Sequence, residues 1–494
     1  MNLNYEHLPV IIVALLLLAA FLEPIVYRHK KSWAAPLVIA SMAFFALSSL
    51  YLMAAVNYHG PFNYYLGGWA PPFGIELEID YLAVFLLLTF SVIGLIAIVY
   101  GLQDLKHGLK DEVLGWYFTL YLLLMASMAG ISVTNDLFNM YVFVEISAIS
   151  ACAIISIKES RECIEASLKY LILSTLGSGC ILLATAMLYM ITGHLNIGYL
   201  NDVLPRVMSH YPNNILISLG FFVVGYGVKA ALFPLHVWLP DAHTAAPSPS
   251  SAVLSGLVIK VYAAAFLKVF LKAYPREIFL EIPVMEIVLF LSVLAILYGS
   301  IVAMVQEDIK KMLAYSSIAQ IGYVFLGFSL MGQRAVAGGL LHIFNHAMMK
   351  SMLFLAAGII IYSTGIRRIR DMKGLGVKLP LTMGAFTIGA LSMVGIPGTN
   401  GFISKWQLAL GALDLGRPII VVVILLSSLL NCLYYMPIVI NAFFGVKGEP
   451  ELEIGKVPGV MLYSILFLGF GIIFFGIYPA PLLAFLQKTV TAIL

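Results

Sequence analysis

The chain has 494 residues, 61% of them hydrophobic and 11% charged, with a net charge of +3. A soluble domain carries about 25% charged residues, so the composition argues against a soluble protein. The small net charge, with no basic tail, argues against a nucleic-acid partner. Four cysteines (Cys152, Cys163, Cys180 and Cys432) lack any C-x-x-C spacing, which argues against an iron–sulfur or zinc site and against a disulfide scaffold.

Apolar blocks of about twenty residues, enough to cross ~30 Å of hydrocarbon, recur along the whole chain. They predict an all-α polytopic membrane protein of about fourteen transmembrane helices. The first block, Leu8 to Tyr27, is followed by "RHKK" and further apolar blocks, and is expected to be a retained span. In chain order the predicted spans centre on Leu17, Phe45, Ser91, Leu124, Val144, Gly177, Phe222, Val261, Val293, Gln320, Leu355, Ile388, Leu430 and Phe470.

The loops alternate in charge. Odd-numbered loops, such as "YRHKK", "KESRECIE" and "RRIRDMKGLGVK", hold sixteen Lys and Arg, whereas even-numbered loops and the C-terminus hold six. The positive-inside rule then predicts a plasma or inner membrane protein with both termini extracytoplasmic. The remaining six basic residues lie within spans: Lys169, Lys229, Lys260, Lys268, Lys350 and Lys405.

Two spans read as broken, the seventh by Pro234 and the twelfth by "GIPGTNG", which contains Pro397. A proline removes a backbone donor and clashes with the carbonyl four residues back. In lipid the freed carbonyl needs a partner in protein or water, and paired breaks point to a transport site. The breaks are five spans apart. This predicts a three-helix N-terminal segment (1–112), two five-helix units (113–275 and 276–445) and a C-terminal helix (446–494). Five is odd, so the second unit would be inverted.

A buried charge at mid-bilayer costs about 2.5–3.5 kcal/mol, so each needs pairing, water or a function. Glu145 sits about ten residues from either end of its span, where nothing local neutralises it; it is either half of an interhelical pair or a proton-binding carboxylate. Lys229 and Lys260 are its candidate partners. His342, His346 and Lys350 are spaced i, i+4, i+8 and line one helix face over ~12 Å. Two histidines at that spacing can hold zinc, but this span lacks carboxylate or thiolate companions. Lys405 follows the second break, as either a snorkelling side chain or a channel residue. Lys268, near a helix end, is expected to snorkel, and Lys169 fits snorkelling or function. His236 and His243, beside the first break, are weaker pathway candidates. No metal or cofactor is expected, and no catalytic fingerprint appears.

Four segments carry a resemblance: "YGVKAALFPLHVWLPDAHTAAPSPSSAVLSGLVIKVYA", "QEDIKKMLAYSSIAQIGY", "FNHAMMKSMLFLAAG" and "GIPGTNGFISKW". Together they resemble the antiporter-like proton-translocating subunits. That family spans Mrp-type cation/proton antiporters, the large membrane subunits of respiratory complex I and membrane-bound hydrogenases. The length makes the chain most similar to the Mrp D type. The resemblance implies other membrane subunits as partners, with protons and sodium ions as cargo. It also implies roles on a proton pathway for Glu145, Lys229, Lys260, His342, His346, Lys350 and Lys405. A different class remains open, a secondary transporter binding an organic solute at the two breaks.

Overall fold

The computed structural model describes residues 5–444 and 455–494. Most of the thirteenth-loop stretch "KGEPELEIGK" therefore lies outside the described residues. Among the described residues, thirteen helices are long and apolar enough to cross a membrane. The twelfth span adds a fourteenth crossing in two pieces, Pro380–Val394 and Asn400–Asp414. All fourteen expected centres fall within these elements.

Spans 1 to 3 are Leu8–His29, Ala34–His59 and Tyr81–Gly108. An antiparallel pair of short strands, β1 (Phe62–Tyr65) and β2 (Glu76–Ile79), joins spans 2 and 3. Spans 4 to 6 are Asp111–Val133, Leu137–Ser156 and Arg161–Thr192. Span 7 is split into Pro212–Ala230 and Leu239–Ala245, and span 8 runs from Ser248 to Ala273. Spans 9 to 11 are Val284–Met304, Ile309–Ser329 and Gln333–Thr364. Spans 13 and 14 are Pro418–Phe444 and Gly459–Ile477, and a short apolar helix, Ala480–Ile493, follows.

Side chains set many of the helix starts. Asp80, Asp136, Ser160 and Asp308 each accept the amide three residues on, which fixes the start of spans 3, 5, 6 and 10. Proline sets the breaks. Its ring clashes with the carbonyl four residues back: for Pro234 that is Ala230, where the first half of span 7 ends, and for Pro397 it is Met393, one residue before the first half of span 12 ends. Ala231 (φ 58) and Gly395 (φ 92) turn the chain out of the two helices.

The elements at the centre are spans 8, 10 and 11. Span 8 is buried along its length except at Lys272 near its end. It also carries two π-helical turns, Leu254–Val258 and Val269–Ala273, a feature common at functional sites. These three spans are largely enclosed by the rest of the protein, so most of the polar side chains they carry are buried rather than exposed to lipid.

Candidate functional site

The structure brings most of the expected residues into one line through the interior. At one end, Lys229 is in the last turn of its half-helix and is buried. Its Nζ donates to Ser174 Oγ on span 6 at 2.7 Å and lies 5.9 Å from the Tyr262 ring centre. Tyr262 in turn bonds Ser147 at 2.9 Å, two residues beyond Glu145 on span 5. Glu145 Oε1 has no hydrogen-bond partner among the described residues. The expected Glu145–Lys229 ion pair is thus not closed here. Lys229 is held instead by a neutral hydroxyl that sequence reasoning did not single out.

Lys260 is fully buried on span 8 and donates to the Ser255 carbonyl, inside the first π-helical turn. That turn displaces a carbonyl from the regular ladder and makes it available to the ammonium. Ser255 Oγ meets Ser317 Oγ of span 10 at 2.7 Å. Ser317 bonds the Leu313 carbonyl, and Lys350 Nζ bonds the same carbonyl at 2.7 Å as well as Ser316 Oγ.

The histidine pair sits one and two turns away on span 11. The His342 and His346 rings stack with centroids 5.7 Å apart. His342 meets Ser404 Oγ at 2.9 Å through Nδ1 and Gln320 Oε1 at 3.0 Å through Nε2. Both ring nitrogens of buried His346 lack a hydrogen-bond partner among the described residues. Tyr323 then spans His342, 5.3 Å away ring to ring, and Lys405, whose Nζ is 5.1 Å from its centre. Lys405 does not snorkel. It is buried, and its ammonium reaches back to the Met393 and Val394 carbonyls at 2.8 and 3.1 Å, and to Ser428 at 3.2 Å. The negative end of a half-helix is a favourable place for a cation.

Of the weaker candidates, Lys169 and His236 have their contacts elsewhere, whereas His243 is within electrostatic reach of Lys260 and Lys350. Lys169 is largely exposed and pairs with Asp241 at 2.6 Å. His236 is stacked on Phe233 and set against Tyr298. His243 is fully buried, with both nitrogens unpartnered among the described residues, between Trp238 and Phe354.

Lys268 corrects an expectation. Rather than snorkelling, it is buried and donates to the Ser132 and Thr134 carbonyls at 3.1 and 2.5 Å, at the end of span 4. Lys310, which reads as a loop cation in "QEDIKK", is also buried. It donates at 2.5 Å to the carbonyl of Ala246, just past the second half of span 7. Lys272 is held by Glu78 at 2.5 Å and Asp80 at 2.8 Å. Burial acts against ionising Asp80, but Lys272 and Lys268 outweigh it and keep the carboxyl below its ordinary range. The signal for Lys268 and Lys310 was the helix ends themselves, whose last four carbonyls need donors.

The two five-helix units share landmarks at a constant offset. Asp136 bridges Asn196 and Asp308 bridges Arg368, a shift of 172 (308 − 136 and 368 − 196). Spans 6 and 11 each have 32 residues and end at a left-handed glycine, Gly193 and Gly365, both at φ 71.

Comparison with known proteins agrees with this architecture. The family described as "NADH:quinone oxidoreductase/Mrp antiporter, TM" matches residues 134–431. The chain is 38% identical to the N subunit of the NADH-quinone oxidoreductase of Desulforudis audaxviator, covering 97% of each. It is 30% identical to the D subunit of the Na(+)/H(+) antiporter of Alkalihalophilus pseudofirmus, covering 91% of this chain and 89% of that one. A chain of the membrane-bound sulfane sulfur reductase, an archaeal respiratory membrane complex, superposes with a TM-score of 0.90 at 31% identity, covering 98% of this chain and 97% of its own. A chain of the Mrp complex from Dietzia sp. DQ12-45-1b shares the fold with a TM-score of 0.88 at 23% identity, covering 100% and 98%.

Proposed function

Because the chain belongs to the NADH:quinone oxidoreductase/Mrp antiporter transmembrane family, we propose that it moves protons along the interior line from Lys229 to Lys405 as one subunit of a larger membrane complex. The observation that carries this reading is the series of buried ammonium, imidazole and hydroxyl groups on spans 7, 8, 10, 11 and 12, most of them hydrogen-bonded to a neighbouring span.

Glu145 is the switch in this reading. When it approaches Lys229, it stabilises the ammonium; when it withdraws, as in the geometry here, Lys229 keeps only Ser174 and releases its proton toward Lys260. One pKa unit corresponds to about 1.36 kcal/mol, and Coulomb energies at low dielectric change by more than that over a few ångströms. A change of separation is therefore enough to drive the step. Lys260, Lys350 and the histidine pair pass the proton on, and Lys405 is the last station.

The two five-helix units act as inverted repeats in this scheme, supported by the shared offset and the paired breaks. The basic odd-numbered loops face the cytoplasm and both termini lie outside. A sodium ion is the counter-cargo, on the analogy of the relative named as part of a Na(+)/H(+) antiporter. In proteoliposomes of the purified complex, Glu145→Gln and Lys229→Ala should each abolish proton movement. Full activity in both would sink the proposal. Flavin, nickel or iron–sulfur absorbance in the same preparation would identify a redox-driven complex, and its lack alongside sodium–proton exchange a bare antiporter.

A further inference from the structure

Glu23 lies outside the line of groups above and before the family-matched residues. Span 1 buries Leu8, Ile12, Leu16, Ala19, Ala20 and Glu23, the spacing of one helical face. Phe21 and Leu22, on the other side, are exposed. So Glu23 is on the face that packs against spans 2 and 4, not on the outer face. Its residue exposure is 0%, and neither carboxyl oxygen has a hydrogen-bond partner among the described residues.

Two local features mark this spot as a binding site rather than a misplaced charge. Pro24 stands inside the helix directly after Glu23, so the Ala20 carbonyl has no amide four residues on to accept from. A helical side chain also leans toward the N-terminal turn, which puts the Glu23 carboxyl over Ala19 and Ala20, two small residues that leave it space. An unpaired carboxylate is very costly in apolar surroundings, whereas a neutral acid is far less so. A bound proton turns one oxygen into a donor, and the Ala20 carbonyl, which lacks the amide of residue 24, is an acceptor one turn away.

A cleft of about 540 Å³ reaches this turn, lined by Pro24, Tyr27, Arg28, Lys31, Glu112 and Trp116 among others. The titratable and charged groups at this end of span 1 and on the elements packed against it are Tyr27, Arg28, His29 and Lys30 on its own helix end, Lys31 ahead of span 2, and Asp111 and Glu112 at the start of span 4. Two of these are already engaged with Asp111: Tyr27 donates to its carbonyl at 2.5 Å and Lys31 pairs with its carboxylate at 3.5 Å. All lie toward the same membrane face, that of the basic odd-numbered loops.

We propose that Glu23 is a proton-binding site separate from the interior line, loaded through the cleft between spans 1 and 4. It gives the N-terminal three-helix segment a titratable group of its own, and it does not depend on the relay being correct.

The test uses the intact chain in lipid nanodiscs. Infrared spectra of wild type and Glu23→Gln are compared across a pH series, and the same samples are treated with dicyclohexylcarbodiimide, which reacts with protonated carboxyls in apolar sites. The expected result is a protonated-carboxyl band lost in Glu23→Gln, and a label at Glu23 that fades as pH rises. Glu23→Asp should keep a shifted band, which separates chemistry from folding. Spectra of wild type and Glu23→Gln that superimpose in the protonated-carboxyl region overturn the proposal. So does protection from the label by sodium ions at fixed pH, which would make the site a cation site.

Discussion

The two five-helix units hold their buried lysines in different ways. In the first, Lys229 rests on one neutral hydroxyl, Ser174, with the carboxylate of Glu145 near but unengaged. In the second, Lys405 is gripped by two backbone carbonyls and a hydroxyl at the end of a half-helix. At the shared offset of 172, Glu145 corresponds to Ser317, and Ser174 to His346. The second unit therefore has no carboxylate switch and has an imidazole where the first has a hydroxyl. A side-chain partner can move away at little cost to the fold; a helix-end carbonyl cannot. The first unit is built to change its partner, and the second to keep it.

Lys405→Ala is the strongest way to break this comparison. It should abolish proton movement, as Lys229→Ala does, but it should also destabilise the fold. The Met393 and Val394 carbonyls lose their donor, and an unsatisfied buried polar group costs about 1–3 kcal/mol. Thermal unfolding in nanodiscs should therefore separate the two variants, with Lys405→Ala the less stable. Equal midpoints would mean that the two lysines are held alike.

Next in size is the second break itself. A Cβ on Gly401 would stand 2.0 Å from the Ser392 carbonyl oxygen, a backbone atom that cannot rotate out of the way as a side chain can. Gly401→Ala should cost about 1–3 kcal/mol or more, while Gly384→Ala, with nothing within 4 Å of its Cβ, should be neutral or stabilising. Equal behaviour in a denaturation series would show that the break is loosely packed.

Ser174→Ala probes the first unit alone. A hydrogen bond to a charged group is worth about 1.5–3 kcal/mol, so removing it from Lys229 should slow proton movement roughly ten- to hundredfold without the total loss expected for Lys229→Ala. A rate in proteoliposomes equal to wild type would remove Ser174 from the resting geometry.

Much of this was legible in the sequence because lipid makes a charge in the middle of an apolar run conspicuous. Lys229, Lys260 and the His342–His346–Lys350 ladder stood out as cations in apolar runs, and Pro234 and Pro397 marked the breaks through steric rules local to the chain. What stayed hidden depended on distant partners. Lys310 and Lys272 look like ordinary loop cations until the fold delivers Ala246 to one and Glu78 with Asp80 to the other. Lys268 lies near a helix end, which suits snorkelling equally well, and only the arrival of span 4 makes it a cap. Whether Glu145 touches Lys229 depends on the packing of two spans 84 positions apart (229 − 145), which no local pattern encodes.

The smallest expected effect comes from exchanging the residues that turn the chain at the two breaks. Ala231 adopts φ 58, whereas the second break has Gly395 at φ 92. An L-residue in the left-handed region costs roughly 1–2 kcal/mol, and glycine there avoids this but gives the unfolded chain about 0.4–1 kcal/mol of extra freedom. Ala231→Gly should therefore stabilise by about 0.5 kcal/mol and leave proton movement unchanged. Gly395→Ala meets the same backbone cost, and its Cβ would lie 3.1 Å from Lys405 Cδ, so it should destabilise and slow proton movement together. If Ala231→Gly instead slows proton movement as Gly395→Ala does, the first break is as rigidly tied to its lysine as the second, and the distinction between a movable and a fixed partner fails.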